Sequence, residues 1–422
     1  MNNTVILGAG IVGVSTAYYL SKHQPGSTIH LVEASPELFA SASGKAAGFL
    51  ARDWFPPAST ELGALSFEEH RRLAEQDDGA RTWGYSKSTS LSLAFGKGRS
   101  VAKKGGGDRA DAASRTALAG VDDAQKVESS NIPSWLRRTE GDAVEVIGEE
   151  GSVAQVDPLA LCQHLLRQCL DAGVHLHHPA SAISIQTDVR DELSSVCIAD
   201  TTSSTETDVP CTTIVIAAGA WSPRVFSTLF PKSTASIPVS SLAGYSLVFK
   251  SPRWTAENEE HGCHAVFVSG GRATYSPEIF SRVGGQIYIA GLNSPGEPLP
   301  ELPTDSAAGM SKQAIATLRD TAKEVAGLSG TDNAHHVDDL EVVREGLCFR
   351  PVTNRGTPIL CRIPDAKLGE GVSTRPGPEG GVYVAAGHGP WGISLSLGTG
   401  KVMAEMIRGK ELSADISGLD IR

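Results

Sequence analysis

The hydrophobic pattern of this chain changes period along its length, and each change marks an element. Thr4-Val-Ile-Leu7 is rich in β-branched and aliphatic side chains, which suits a parallel strand buried on both faces. From Ile11 the apolar positions continue at helical spacing through Leu20, and Thr28-Ile-His-Leu-Val32 predicts a second short strand. Ser66 to Ala74 predicts a helix, with Glu68-Glu69 early and Arg71-Arg72 late as the helix dipole prefers. Ser88 to Phe95 alternates as a half-buried strand does. The pattern then dissolves. Gly96 to Asn131 is polar and rich in small residues, which predicts a surface insertion with a helical turn or two around Val121 to Val127.

Periodicity resumes at Val153. Asp157 and Pro158 predict the cap and first position of a helix that runs through Leu170 and stops at Gly173, where Val174 begins a strand. Cys211 to Ala220 predicts a buried strand running into a turn of small residues. Ser246–Phe249, His264–Val268 and Gln286–Ala290, separated by Gly270-Gly271 and Gly284-Gly285, have the spacing of an antiparallel sheet. Pro295 to Pro303 reads as an extended loop and Lys312 to Leu328 as a helix. The strand Gly381–Ala386 and a helix from Leu397 to Ile407 close the chain.

Composition adds bounds. A chain of 422 residues predicts two domains, and 40% hydrophobic with 20% charged residues is ordinary for a globular protein. A net charge of −11 without a basic stripe argues against nucleic acid or an anionic membrane as partner. No apolar run reaches membrane-spanning length. Seven scattered cysteines without a CxxC pair favour a reducing compartment and no structural zinc. The early first strand leaves no room for a leader, so the expected location is the cytoplasm. His164, His175, His177 and His178 crowd together, but no cysteine or carboxylate completes a ligand set, so no metal is expected. The sequence leaves the oligomeric state open.

Chemistry enters with the glycines after the first strand. Gly8 allows a tight turn, Gly10 lets a phosphate approach the backbone, and Gly13 lets the helix pack on the strand. A pyrophosphate suits the helix N-terminus, and Glu33, twenty residues beyond Gly13, suits ribose hydroxyls. Strand, helix and acid fall within one βαβ length, which predicts a dinucleotide site. That fingerprint admits FAD or NAD. A colourless protein would mean an NAD-dependent dehydrogenase.

Further pieces favour FAD. Gly8-Ala-Gly-Ile-Val-Gly13 with Glu33, Ser41–Gly48, Val153–Pro158, Val215-Ile-Ala-Ala-Gly-Ala-Trp-Ser222, Cys348-Phe-Arg-Pro-Val-Thr353 and Gly387-His-Gly-Pro-Trp-Gly-Ile393 follow one another along the chain. In that order they resemble the D-amino-acid oxidase, glycine oxidase and sarcosine oxidase superfamily of FAD-dependent oxidoreductases. The resemblance implies an α/β fold: a discontinuous Rossmann-like FAD-binding domain (1–53, 153–236 and 346–422) and a substrate domain with a mainly antiparallel sheet (54–152 and 237–345).

It also implies cofactor contacts from Gly8, Gly10, Ile11, Val12 and Gly13, and from Glu33 and Ala34 at the ribose. Ser43, Gly44, Lys45, Ala46, Ala47 and Gly48 would follow the pyrophosphate and ring edge, Ala182 the adenine, and Ala218 and Gly219 the turn after a buried strand. Gly387, His388, Gly389, Pro390, Trp391, Gly392 and Ile393 would meet the flavin pyrimidine. Arg350 is implied to grip a substrate carboxylate, because a guanidinium forks onto it with two parallel hydrogen bonds. The bland alternative is an ion pair with Glu345. Tyr245 and Trp391 are secondary catalytic candidates. Cys348 has two readings, a covalent partner of the flavin or a small core residue, and the second is preferred.

The expected activity is oxidation of the C–N bond of a small amine or amino acid by hydride transfer to flavin N5. Tyr288 stands where the sarcosine oxidase branch carries an oxygen-activating lysine, which leaves a dehydrogenase open. A flavoprotein with a mainly interaction or trafficking role is the alternative from another class.

Overall fold

The expected buried strands pair as their apolar composition requires. In a computed structural model, Thr4–Leu7 is flanked in parallel by Thr213–Ile216 and Ile29–Val32, so that each central strand is covered on both faces. The full sheet has six strands in the order Ile359–Ile363, Gly381–Ala386, Thr213–Ile216, Thr4–Leu7, Ile29–Val32 and His175–His177. Only Ile359–Ile363 runs antiparallel to its neighbour. The chain therefore enters this sheet three times, from its beginning, its middle and its end. Residues 3–95, 132–138, 141–148, 151–270, 274–329 and 339–421 are described, with short strands at 125–126 and 336–337.

Helices Ile11–Ser21 and Gly392–Ile407 pack against each other on one face of this sheet. Their contact needs small residues: a Cβ on Gly400 would lie 2.6 Å from the carbonyl oxygen of Ser15. Helix Pro158–Asp171 is capped as predicted, with Asp157 Oδ1 accepting from the Ala160 N–H at 2.9 Å. The other face is covered by a three-stranded antiparallel sheet, Ala180–Thr187, Leu193–Asp200 and Glu206–Pro210, and by helix Ser222–Leu229.

The second large sheet is mainly antiparallel. It runs from Asn293–Ser294 through Ser240–Lys250, Gln286–Ala290, Glu278–Arg282, Cys263–Gly270, Ser86–Phe95 and Ala143–Gly148 to Gln125–Lys126. Glu341–Val352 lies along Ser240–Lys250 over nearly its whole length. One pair departs from the antiparallel expectation: Cys263–Gly270 and Ser86–Phe95 are parallel. Alternate side chains divide this sheet between two cores. Val248, Phe280 and Tyr288 join the core shared with the helices of the six-stranded sheet. Tyr245, Leu247, Phe249, Leu347 and Phe349 face the other way, under helix Lys312–Ala326.

Several boundaries move. The helix expected at Ser66–Ala74 spans Thr60–Gln76, and the last helix begins at Gly392 instead of Leu397. Gln125–Lys126, inside the stretch read as helical, is a strand, and the rest of the expected insertion lies outside the described residues. No helix among the described residues is long and apolar enough to cross a membrane.

Candidate active site

A cavity of about 390 Å³ runs between the two large sheets, in the size range of small-molecule sites. Its two ends are built differently.

One end is mostly backbone. Gly8 has φ +105°, and a Cβ there would meet the Ala217 carbonyl oxygen at 2.6 Å. A Cβ on Gly13 would fall 1.9 Å from the Gly8 carbonyl oxygen, so only glycine lets the first helix sit this close to its strand. Ser43 Oγ accepts from the Ile11 N–H at 3.0 Å, bringing the 42–45 turn up to the helix N-terminus. Glu33 closes this end, accepting from the N–H of Ala9 at 3.0 Å and of Ser35 at 2.9 Å. Burial raises its carboxyl pKa, while those two backbone donors act in the opposite direction.

Gly8, Gly10, Ile11, Val12, Glu33, Ala34, Ser43, Ala46, Ala47, Ala182, Ala218, Gly219, Cys348, His388, Gly389, Pro390, Gly392 and Ile393 all line the cavity. Gly13, Gly44, Lys45, Gly48 and Gly387, expected at the cofactor, are not among the lining residues and act behind it. Lys45 donates from Nζ to the Leu347 carbonyl at 3.1 Å, and burial lowers its pKa. His388 donates to or accepts from Thr399 Oγ1 at 3.1 Å, and burial pushes it down to about 4, a neutral imidazole.

The other end is built of side chains from the second sheet. Register places Gly244 opposite Cys348 and Leu242 opposite Arg350, so these residues share the cavity-facing side. Arg350 is buried and donates from Nη1 to Asn293 Oδ1 at 2.7 Å. Its guanidinium lies across Gly244, where a Cβ would stand 3.1 Å from Cζ. The ion pair with Glu345 is not made: Glu345 has the opposite parity and pairs with Arg319 at 2.6 Å. Tyr288 and Glu278 also line this end.

Two expected catalytic candidates fall elsewhere. Tyr245, next to Gly244, points into the far core and donates from its hydroxyl to Glu297 Oε1 at 3.2 Å. One step along a strand reverses the face. Trp391 packs in an aromatic cluster, 5.0 Å from the Phe55 ring and 6.4 Å from that of Phe49, and is absent from the cavity lining.

Arg282 and Arg344 carried no sequence signal. Arg282 donates from Nε to the Ala47 carbonyl at 3.0 Å and Arg344 from Nη1 to that of Gly44 at 2.8 Å. Together with Lys45 they tie the 44–47 backbone to the second sheet. Arg282 also stacks over Tyr288, 4.9 Å from the ring centre, and burial lowers it to about 10. At the rim, Trp221 Nε1 donates to the Pro300 carbonyl at 2.9 Å and Arg224 pairs with Glu301 at 3.1 Å, roofing the cavity with the proline-rich loop. The histidines of the sheet edge form a stack: His30 lies 4.9 Å from His175 and 5.3 Å from His177. Among the described residues, no group of three or more His, Cys, Asp or Glu could hold a metal ion.

The chain matches the family described as FAD dependent oxidoreductase over residues 3–406, and it belongs to that family. It is 28% identical to a Schizosaccharomyces pombe protein over 99% of this chain and 97% of the other. It is 23% identical to a Saccharomyces cerevisiae protein, covering 99% and 93%. Both carry only provisional names as oxidoreductases. Glycine oxidase from Geobacillus kaustophilus has the same fold, with a TM-score of 0.71 at 20% identity, covering 100% of this chain and 98% of that one. L-proline dehydrogenase from P. horikoshii gives 0.71 at 15% identity, covering 99% and 96%. The fold is thus the α/β arrangement of FAD-binding and substrate portions found in those enzymes, and the protein is an FAD-dependent oxidoreductase. The tight glycine turn, the helix N-terminus and the buried Glu33 fit that cofactor.

Proposed function

We propose that this protein oxidises the C–N bond of a small amine or amino acid. The observation that carries the reading is Arg350, a buried guanidinium on the cavity wall with one arm fixed by Asn293. A planar cation held this way positions a carboxylate by two parallel hydrogen bonds. FAD, when bound, supplies the two-electron acceptor. The chain supplies orientation: Arg350 sets the direction of the substrate, the rim contacts of Trp221 and Arg224 hold the proline-rich loop beside the cavity, and neutral His388 adds no charge beside the turn. The names of the fold neighbours, glycine oxidase, iminodiacetate oxidase and L-proline dehydrogenase, support an amino-acid substrate. Seven free, buried cysteines fit a reducing compartment and our placement in the cytoplasm.

The test is anaerobic titration of the yellow holoprotein with glycine, sarcosine, D-amino acids and N-methyl amines. At least one should bleach the flavin. Arg350→Met should weaken that ligand by about 10- to 100-fold, the worth of a charge-assisted bond, and leave FAD content unchanged. If nothing in the panel bleaches the wild type, an interaction role becomes the better reading.

A further inference from the structure

Asn293 belongs to no motif in the sequence, yet its side chain holds Arg350. Three strands build the contact. Arg350 stands opposite Leu242 on Ser240–Lys250, and Gly244 of that middle strand stands opposite Asn293 on the short strand Asn293–Ser294. To reach Asn293 Oδ1, the Arg350 side chain crosses the middle strand at Gly244, where an added Cβ would lie 3.1 Å from Cζ, 3.2 Å from Nη2 and 3.3 Å from Nε. The guanidinium therefore rests on a bare stretch of backbone and is pinned at its far end, 2.7 Å from Nη1 to the amide oxygen. The pin is itself anchored. The Tyr245 N–H donates to the Leu292 carbonyl at 3.0 Å, and Gly291, at φ +112°, turns so close to Ser276 that a side chain there would run into its carbonyl oxygen.

We infer that Asn293 is a positioning residue that aims Arg350 at the substrate carboxylate, and that the role requires a neutral acceptor at this position. This rests on the amine-oxidising reading above and adds what directs the cation. The chemistry of the partner carries it. A guanidinium has five N–H donors in one plane, and Asn293 takes one and leaves four for a ligand. A carboxamide oxygen fixes the plane through a hydrogen bond and leaves the positive charge whole. A carboxylate of the same shape would fix the plane too, but it would also pair with the charge that a ligand needs. For a guanidinium only 9% exposed, that competing attraction is much stronger than in water. The neighbouring acid Glu345 is kept off Arg350 by strand parity and by its own pair with Arg319. Pinning the side chain in advance also spares the rotamer freedom that a loose arginine would lose on binding. Shape alone would make aspartate the mildest replacement for Asn293. Charge makes it the harshest.

Equilibrium binding of acetate, propionate and glycine to the holoprotein tests this, read as perturbation of the flavin spectrum under anaerobic conditions with FAD content measured alongside. Asn293→Ala should weaken the best of the three by about tenfold, roughly the worth of the lost hydrogen bond. Asn293→Asp should weaken it by a further tenfold or more. Asn293→Ser, which keeps a neutral acceptor oxygen, should fall between Asn293→Ala and the wild type. In an Arg350→Met background, with no charge to aim or cancel, Asn293→Asp should add less than threefold. A residue with a merely structural role would give the opposite ranking, since Asn293→Asp preserves its shape. If Asn293→Asp does not retain FAD, the other two variants decide: a loss in Asn293→Ala that Asn293→Ser partly recovers supports the role, and no loss in Asn293→Ala overturns it. Binding by Asn293→Asp as tight as or tighter than by Asn293→Ala overturns the role of Asn293 while the amine-oxidising reading stands. Wild-type holoprotein that binds none of the three probes also overturns it, and if no amine bleaches that protein the amine-oxidising reading falls as well.

Discussion

The two ends of the cavity are made of different materials. At the end we assign to the cofactor the lining is mostly backbone, set by Gly8, Gly10 and the helix N-terminus, with Glu33 as the buried acid. At the end we assign to the substrate they are long side chains, Arg350, Tyr288 and Glu278, standing on three strands of the second sheet. Backbone geometry tolerates no intrusion, because neither partner in a close contact can move aside. Side chains on a sheet can be exchanged without moving the strands. The fold thereby keeps one cofactor site while leaving its chemistry adjustable.

The largest effect expected from this contrast is at Gly13. A Cβ placed 1.9 Å from the Gly8 carbonyl oxygen forces helix and strand apart, so Gly13→Ala should abolish FAD retention, measured as flavin absorbance of the purified protein. Retention of normal FAD content would show that the close packing is not needed.

Acid should damage the cofactor end next. Burial holds His70 and His388 down to about 4 and lowers His30 to the same value, with the charges of His177 and His175 adding to the effect there. All three lie at the cofactor end or on the edge of its sheet; among the described residues, His264, also near 4, lies on the second sheet. Folded values below the free value of 6.5 mean that the unfolded chain binds more protons between about pH 6.5 and 4. Stability should therefore fall as pH drops through that window and stop responding to these groups below it. Flavin fluorescence during acidification checks the order: FAD release should precede the tryptophan change of global unfolding.

Neighbouring residues on one substrate-end strand give the finest comparison. Gly244→Ala places a methyl 3.1 Å from Arg350 Cζ and should raise the KM of a carboxylate substrate by about tenfold, roughly the worth of one displaced hydrogen bond, with FAD content unchanged. Tyr245→Phe removes a hydroxyl bonded to Glu297 in the far core and should change KM by less than twofold. The reverse ranking would mean that the face assignment is wrong.

Much of the cofactor end was legible because its signals are local. A glycine spacing, a following helix and an acid at fixed distance all fall within the first 33 residues. The Asp157-Pro158 cap was readable for the same reason, and the structure makes that hydrogen bond. At the substrate end, Arg350 was found through a resemblance, and its face depends on pairing with a strand more than a hundred residues away. Tyr245 was misplaced because its face is a matter of parity, and a short apolar run such as Leu242–Phe249 shows none. Glu278 belongs to no motif in the sequence, and Arg282 and Arg344 had no partner in sight until their strands met the 44–47 turn.

The sequence by itself determined where the chain must turn tightly and which runs must be buried, since glycine conformations and apolar periodicity are properties of neighbouring residues. Only the tertiary structure decided which side chains share the cavity. Strand order and register bring Arg350, Tyr288 and Glu278 to one face and send Tyr245 to the other, and both are set by pairing between distant segments.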